Sequence, residues 1–108
     1  MKRIKSIEAW RALLEKSKEQ PFLLFKLSMT CFSSLSAKKE LQALKTELPI
    51  HIVIVQMDRK VSNAIETDLG VKHESPQLLI VKDGKGIWQA THYHINKSVL
   101  IDAIEMYV

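Results

Sequence analysis

The chain of 108 residues contains a single cysteine, and this scarcity restricts both its structure and its chemistry. One thiol cannot form an intramolecular disulfide, which argues against a secreted, disulfide-stabilised scaffold and excludes a Cys-x-x-Cys dithiol centre within the chain. Long apolar runs are also missing, and the N-terminal segment is interrupted by charges before a signal-peptide core can form. We therefore expect a cytoplasmic protein that has no membrane-spanning segment.

The composition, 46% hydrophobic and 26% charged, is that of a folded globular protein and excludes a disordered chain. Its length predicts one domain over residues 1–108, and no repeat or low-complexity linker divides it. The net charge of +4 comes from scattered lysines and arginines, with no basic block interleaved with aromatic residues. We therefore expect no nucleic-acid partner, although a mildly basic surface favours small anionic ones.

Hydrophobic periodicity predicts four helices and four strands in the order α-β-α-β-α-β-β-α. The predicted helices follow N-caps at Ser6, Thr30, Asp58 and Asn96. The first three helices cover residues 7–18, 31–48 and 59–69, and Gly70 stops the third. The predicted strands cover residues 21–27, 51–57, 77–81 and 87–92.

The order and composition of these strands predict their arrangement. The first strand is read as an unbroken apolar run and the second contains one at residues 52–55, a pattern typical of strands buried on both faces. The helix between the two strands makes them parallel. The last two strands form a hairpin around Asp83-Gly84. Two parallel strands followed by a hairpin predict an α/β, thioredoxin-like fold, with a four-stranded mixed sheet flanked by helices and an extra N-terminal helix.

The lone cysteine, Cys31, lies where the first strand ends and the second helix begins. The positive end of a helix dipole favours the thiolate, which is the nucleophilic form of cysteine. Thr30, Ser33 and Ser34 carry hydroxyls that can donate hydrogen bonds to a thiolate, and the first-turn N–H groups of the two serines are unpaired. A lone cysteine is often a small buried hydrophobe, but this position favours a reactive thiol.

Ser34 stands three residues after Cys31, where a dithiol enzyme carries its resolving cysteine. Serine cannot attack a mixed disulfide, so a second thiol has to come from solution. We expect the Ser34 hydroxyl to bond the Cys31 sulfur; the alternative is an ordinary first-turn serine.

Pro76 opens the third strand, a position that tolerates proline. In a thioredoxin-like fold this loop faces the cysteine helix, and a cis Ser75–Pro76 bond would aim the Ser75 backbone at a disulfide-bearing partner. An ordinary trans-proline is the alternative.

Four further residues are weaker candidates for a functional role. His73 either approaches Cys31 or is solvated, and Phe32 either packs over the helix start or forms a contact surface for protein substrates. His92 and His94 share a face of the last predicted strand, but without a third ligand we expect no metal site.

Two segments together closely resemble the YtxJ-type monothiol bacilliredoxins. They are Thr-Cys-Phe-Ser-Ser at residues 30–34 and Gly-Val-Lys-His-Glu-Ser-Pro-Gln at residues 70–77, and the resemblance continues through Trp88 and Thr91-His92. It implies a thioredoxin fold, a nucleophilic Cys31, a cis Pro76 and Ser34 in the resolving position. The family pattern reads Thr-Cys-Pro-Ile-Ser, from which Phe32 and Ser33 depart.

The resemblance also implies an enzyme that removes bacillithiol from protein mixed disulfides, with bacillithiol as co-substrate and no bound cofactor. Its partners would be bacillithiolated proteins and bacillithiol itself, whose malate carboxylates Lys38, Lys39 or Lys72 would attract. Two alternatives stay open: an exchange enzyme that uses glutathione or coenzyme A, and a non-catalytic thioredoxin-fold module in which Cys31 is inert and the Ser75–Pro76 loop docks a partner.

Overall fold

A mixed β-sheet with helices on both faces forms the centre of the computed structural model, which describes residues 1–108. The elements in chain order are β1 (Lys2–Arg3), α1 (Ile7–Lys16), β2 (Phe22–Leu27), α2 (Phe32–Ala43), β3 (Ile50–Ile54), α3 (Arg59–Leu69), β4 (Gln77–Lys82), β5 (Lys85–Thr91), a 3-10 turn (His92–His94) and α4 (Lys97–Tyr107). The strand order is β1-β3-β2-β4-β5. None of the helices is both long and apolar enough to span a membrane.

Strand β2 lies at the centre of the sheet, parallel to β3 and antiparallel to β4, and β5 pairs antiparallel with β4. Successive side chains of β2 enter two separate apolar clusters, because they alternate between the faces of the sheet. Leu23 and Phe25 pack under α2 and α4, whereas Phe22 and Leu24 pack under α1 and α3. This two-sided burial explains the apolar run at residues 22–25 in the sequence and confirms the predicted α/β arrangement.

The sheet has five strands where four were predicted. The additional strand, β1, consists of two basic residues and pairs parallel with β3, with Lys2 opposite His51. Its sequence has no apolar pattern to reveal a strand; tertiary contacts hold it instead. The Arg3 guanidinium donates to both carboxylate oxygens of Asp58 at 2.9 and 2.7 Å, and the next residue, Ile4, is buried.

The helix ends follow most of the predicted signals. Ser6 and Asn96 accept the expected N-cap hydrogen bonds from Ala9 and Val99, each at 3.0 Å. Gly70 ends α3 in the left-handed conformation, with φ 64°, that glycine adopts most easily.

Three other predicted features were wrong. Asp58 precedes α3 as predicted, but its carboxylate accepts hydrogen bonds from Arg3 and from the backbone of Ile54 instead of capping the helix. Helix α2 ends at Ala43 and not at residue 48, because Leu44 adopts an extended conformation while remaining buried. Strand β3 ends at Ile54, three residues before the predicted end.

Lys26 is the least expected residue of the core. It lies in β2 with 1% of its surface exposed, and no carboxylate lies within ion-pairing distance of its ammonium group. In the strand register it lies opposite Gln77 of β4 on one side and Val53 of β3 on the other. Val53 belongs to the apolar cluster under α1 and α3. Burial lowers the pKa of Lys26 to about 8, and the charge of Glu66 opposes this effect only in part.

Replacing Lys26 with methionine is expected to change how stability depends on pH. An unfolded chain keeps the lysine proton up to pH 10.5, whereas the folded protein loses it near pH 8, so folding becomes more favourable as pH rises between these values. Lys26→Met removes this slope and stabilises the protein at neutral pH by up to about 3 kcal/mol. Urea unfolding at about pH 7 and about pH 10 measures both effects.

The matched control for this experiment is Lys85→Met, which replaces an exposed lysine on β5. It should leave the pH dependence of the wild type unchanged. Parallel stability profiles for the wild type and Lys26→Met would contradict the assigned pKa shift.

Candidate active site

Cys31 occupies the N-cap position of α2, four residues after β2 ends. Its backbone is extended, with φ −103° and ψ 125°, and its side chain is half-buried. The prediction placed the N-cap at Thr30 and began the helix at Cys31, so both positions were wrong by one residue. Thr30 is exposed, and its hydroxyl lies 3.3 Å from the Ser28 hydroxyl instead of near the sulfur. The N-cap position places the Cys31 thiol beside the backbone N–H groups of Ser33 and Ser34. The N–H of Ser34 is not unpaired, as the sequence had suggested, because it also donates to the Cys31 carbonyl oxygen at 3.1 Å.

Ser33 supplies the hydroxyl that bonds the thiol: its Oγ lies 2.9 Å from the Cys31 Sγ. Ser33 was one of the three residues whose hydroxyls were expected to bond the thiolate. The Ser34 hydroxyl, which was also expected to bond the sulfur, is the weakest of the groups that act on the thiol, and it accepts a hydrogen bond from the backbone N–H of Ser28 at 3.1 Å. Both serines are buried, so their hydroxyls are held in place by packing.

Hydrogen bonds to the sulfur lower the pKa of Cys31 below the ordinary value for a thiol. The largest contribution comes from the Ser33 hydroxyl and the next from the backbone N–H of Ser34, while partial burial acts in the opposite direction. A donor that bonds the charged form stabilises it, which makes the thiolate more abundant at neutral pH. No positive charge of a lysine or histidine contributes to the lowered pKa of Cys31.

Gln56 braces the loop that carries Cys31, a role that the sequence did not indicate. Its side-chain oxygen accepts a hydrogen bond from the backbone N–H of Met29 at 3.2 Å, and its amide nitrogen donates to the Ser28 hydroxyl. Gln56 follows β3 just as the Cys31 loop follows β2. Parallel strands end at the same edge of a sheet, so a polar residue just after β3 is expected to lie near the Cys31 loop. This was the signal in the sequence from which the role of Gln56 could have been predicted.

The Ser75–Pro76 peptide bond is cis, as the family resemblance implies. Pro76 is buried, and its carbonyl oxygen accepts a hydrogen bond from the backbone of His92 at 3.1 Å. The pairing of Lys26 with Gln77 places the start of β4 beside the end of β2, so the Ser75–Pro76 loop and the Cys31 loop lie at the same edge of the sheet. The Ser75 hydroxyl is buried there without a hydrogen-bond partner.

The histidines make no contact with the thiol in this structure. The backbone of His73 donates to the carboxylate of Glu66, and its ring lies 3.3 Å from the Ser62 hydroxyl, so the residue is tied to α3. Burial, reinforced by the charge of Lys26, lowers the pKa of His73. His92 and His94 lie in a 3-10 turn and not in a strand, so the prediction that they share one face of a strand was wrong.

An exposed apolar surface surrounds the candidate nucleophile. Phe32, the residue after Cys31, is 84% exposed, which excludes the expectation that it packs over the helix start. Met29, Leu35 and Met57 are each more than half exposed and line a groove of about 340 Å³ beside the Cys31 loop. Lys38 of α2 contributes the only charged side chain of this groove.

Residues 2–100 match the family model described as monothiol bacilliredoxin BrxC. The chain belongs to the monothiol bacilliredoxin family. Among solved structures, a candidate oxidoreductase with a thioredoxin fold is 30% identical to this bacilliredoxin-family chain, with a TM-score of 0.86, and the match covers 95% of this chain and 92% of that one.

Thioredoxins confirm the fold at lower identity. The Fasciola hepatica thioredoxin is 15% identical, with a TM-score of 0.79 and complete coverage of both chains. Chlamydomonas reinhardtii thioredoxin f2 is 14% identical, with a TM-score of 0.75, and the match covers 99% of this chain and 95% of that one. The bacilliredoxin-family chain therefore has a thioredoxin fold, as predicted.

Substituting Ser33 with alanine should make Cys31 less reactive at neutral pH. Loss of the main hydrogen bond to the sulfur raises the pKa of Cys31 and lowers the thiolate fraction, so alkylation by iodoacetamide at pH 7 should slow several-fold. The rate measured as a function of pH gives the shift directly. The control is Ser36→Ala, which replaces an exposed serine one turn further along α2. Its alkylation rate should match that of the wild type. Equal rates for the Ser33 and Ser36 variants would contradict this role for Ser33.

Proposed function

We propose that this bacilliredoxin-family protein is a monothiol exchange enzyme that removes bacillithiol from protein mixed disulfides. The observation that carries the proposal is a single half-buried cysteine whose sulfur receives hydrogen bonds from the first turn of α2. Family membership and the thioredoxin fold support thiol redox chemistry in general. Bacillithiol is the thiol that membership of the bacilliredoxin family suggests.

In the first step, the Cys31 thiolate attacks the bacillithiol sulfur of the mixed disulfide. A new disulfide forms between Cys31 and bacillithiol, the original S–S bond breaks, and the substrate protein leaves as a thiolate that takes a proton from water. Ser33 and the N–H of Ser34 hold the attacking sulfur in its reactive ionised form until the exchange begins. No electrons enter or leave the overall system, because one disulfide is exchanged for another.

In the second step, a thiol from solution releases the enzyme. Ser34 occupies the position at which a second cysteine could attack the Cys31 disulfide, and its hydroxyl is engaged with the Ser28 backbone. The thiolate of a second bacillithiol, or of another thiol reductant, attacks the bacillithiol sulfur bound to Cys31. A disulfide forms between the incoming thiol and bacillithiol, which is oxidised bacillithiol in the first case, and the Cys31 thiolate is regenerated. The chain itself supplies only one of the two thiols that the cycle requires.

The exposed surface around Cys31 supports a protein as the leaving partner. Phe32 and the apolar residues of the neighbouring groove would be covered when a polypeptide carrying the mixed disulfide approaches the sulfur. Exposed large apolar side chains that gather at one point of a surface commonly mark a protein contact.

The direct test is transfer of bacillithiol from a purified bacillithiolated protein, followed by intact-mass spectrometry without added reductant. The wild type should gain the mass of one bacillithiol while the substrate protein loses it, and Cys31→Ser should gain nothing. Two control substrates carry glutathione or coenzyme A on the same cysteine and should transfer their group much more slowly.

Each alternative gives a different result in this experiment. Similar transfer rates from all three substrates would favour exchange chemistry that is not specific for bacillithiol. No transfer from any of them would favour the non-catalytic binding module and would overturn the proposal. An adduct that persists in Cys31→Ser, which has no thiol, would also overturn the proposal, because the gain in mass would then not be a disulfide at Cys31.

Lys38 is expected to attract the malate carboxylates of bacillithiol, because it lines the groove beside Cys31. Its neighbour Lys39 is also exposed but does not line that groove, and so provides a matched control. Lys38→Gln should slow bacillithiol transfer by about two- to fivefold at low ionic strength, the effect of one exposed ion pair, and Lys39→Gln should not. High salt should abolish the difference. Equal rates for the two variants would contradict a specific role for Lys38.

A further inference from the structure

A second groove lies at the opposite end of the strands from Cys31, beside the amino end of β3. It runs between α1 and the paired strands β1 and β3, near His51 at the start of β3. Its volume is about 280 Å³, and a smaller cavity of about 50 Å³ beside Phe22 and Pro49 shares Leu13, Lys16 and His51 with it. The proposed exchange reaction uses none of these residues.

Small side chains on α1 create this groove. Ala9, Ala12, Leu13 and Lys16 recur at the spacing that places residues on one face of a helix. The two alanines leave space between the helix and the edge of the sheet, while Leu13 and the buried Ile4 give the groove an apolar floor. An organic molecule with a short apolar body would bury its surface against these residues.

All the ionisable side chains that line the groove are basic, namely Lys2, Arg3, Lys16 and His51. The Arg3 guanidinium is already paired with Asp58, but Lys2 and Lys16 take part in no ion pair. The carboxylate of Glu15, which precedes Lys16, is engaged with Lys18 at 3.0 Å. The groove therefore presents two ammonium groups that no carboxylate neutralises.

His51 lies close to both of these charges. It faces Lys2 directly in the strand register, and its ring packs edge-on against Phe22 with the centroids 5.3 Å apart. Burial and the positive charges of Lys2, the amino terminus and Lys16 lower the pKa of His51. A hydrogen bond to the Lys2 backbone opposes this effect in part, and the imidazole is neutral at pH 7, so Lys2 and Lys16 supply the positive charge that an anion would meet. An anion beside the ring would favour its protonated form, in which both ring nitrogens are donors and one of them is free of the Lys2 backbone.

We propose that this groove binds a small organic anion whose head group lies between Lys2, Lys16 and His51. The head group is a carboxylate or a phosphate ester, and a short apolar body lies on Ala9, Ala12 and Leu13. The site is separate from the Cys31 edge of the sheet and does not depend on the thiol chemistry.

Titration of the isotopically labelled protein with two probes, hexanoate and hexyl phosphate, tests this site by amide NMR. At least one probe should give saturable shifts that are centred on residues 9–16 and on His51, and the tighter of the two identifies the head group. Two control compounds separate the components of binding: hexanol has the apolar body without the charge, and acetate has the charge without the body. Each control should bind at least about tenfold more weakly than the better probe.

Two variants locate the binding site. Ala12→Phe fills the groove without changing its charge, and Lys16→Glu reverses one of its ammonium groups; each should weaken the better probe by about tenfold or more. Lys45→Glu makes the same change in net charge at an exposed lysine outside the groove and should alter affinity less than about twofold. All three variants should retain the alkylation rate of Cys31.

Three results would overturn the proposal. They are the absence of saturable shifts with both probes, equal binding of hexanol, and an equal loss of affinity in Lys45→Glu and Lys16→Glu.

Discussion

The hydrogen bonds that the first turn of α2 donates to the Cys31 sulfur are the interaction on which the chemistry of this fold depends. They stabilise a thiolate without help from a neighbouring lysine or histidine. Their geometry is fixed because Ser33 and Ser34 are buried and because the Ser34 hydroxyl ties the helix start to the loop at Ser28. Gln56 adds a second tie from the end of β3. The rigid central sheet thereby holds a half-exposed sulfur in one orientation.

The two ends of the central strands carry different surfaces. The carboxyl ends of β2 and β3 carry the thiol, the Gln56 brace and an apolar rim, whereas the amino end of β3 carries a basic groove under α1. Lys26 lies buried between the sheet and α3 near the first of these ends, and its desolvation opposes folding. The two apolar clusters on either side of β2 have to compensate for that cost.

The sequence predicted the parts of this structure that depend on local patterns. The apolar run of β2, the capping residues Ser6 and Asn96 and the left-handed Gly70 each act within a few residues of chain, and each was correct. Strand β1 was missed because Arg3 and Ile4 are held by residues more than forty positions away. The sequence could not rank Ser33 above Ser34 as the main donor to the sulfur, because a shift of the helix start by one residue decides which hydroxyl lies closer to it. Lys26 escaped notice because a single lysine barely changes the average character of an apolar segment.

The measurement that tests the central claim most directly is a titration of the Cys31 thiolate by its ultraviolet absorbance, with Cys31→Ser subtracted as the blank. Cys31 is the only cysteine, so the difference reports a single group. The account predicts an inflection clearly below the value of about 8.5 for an unperturbed thiol. An inflection at or above that value would contradict it, because the hydrogen bonds at the start of α2 would then not stabilise the charged sulfur.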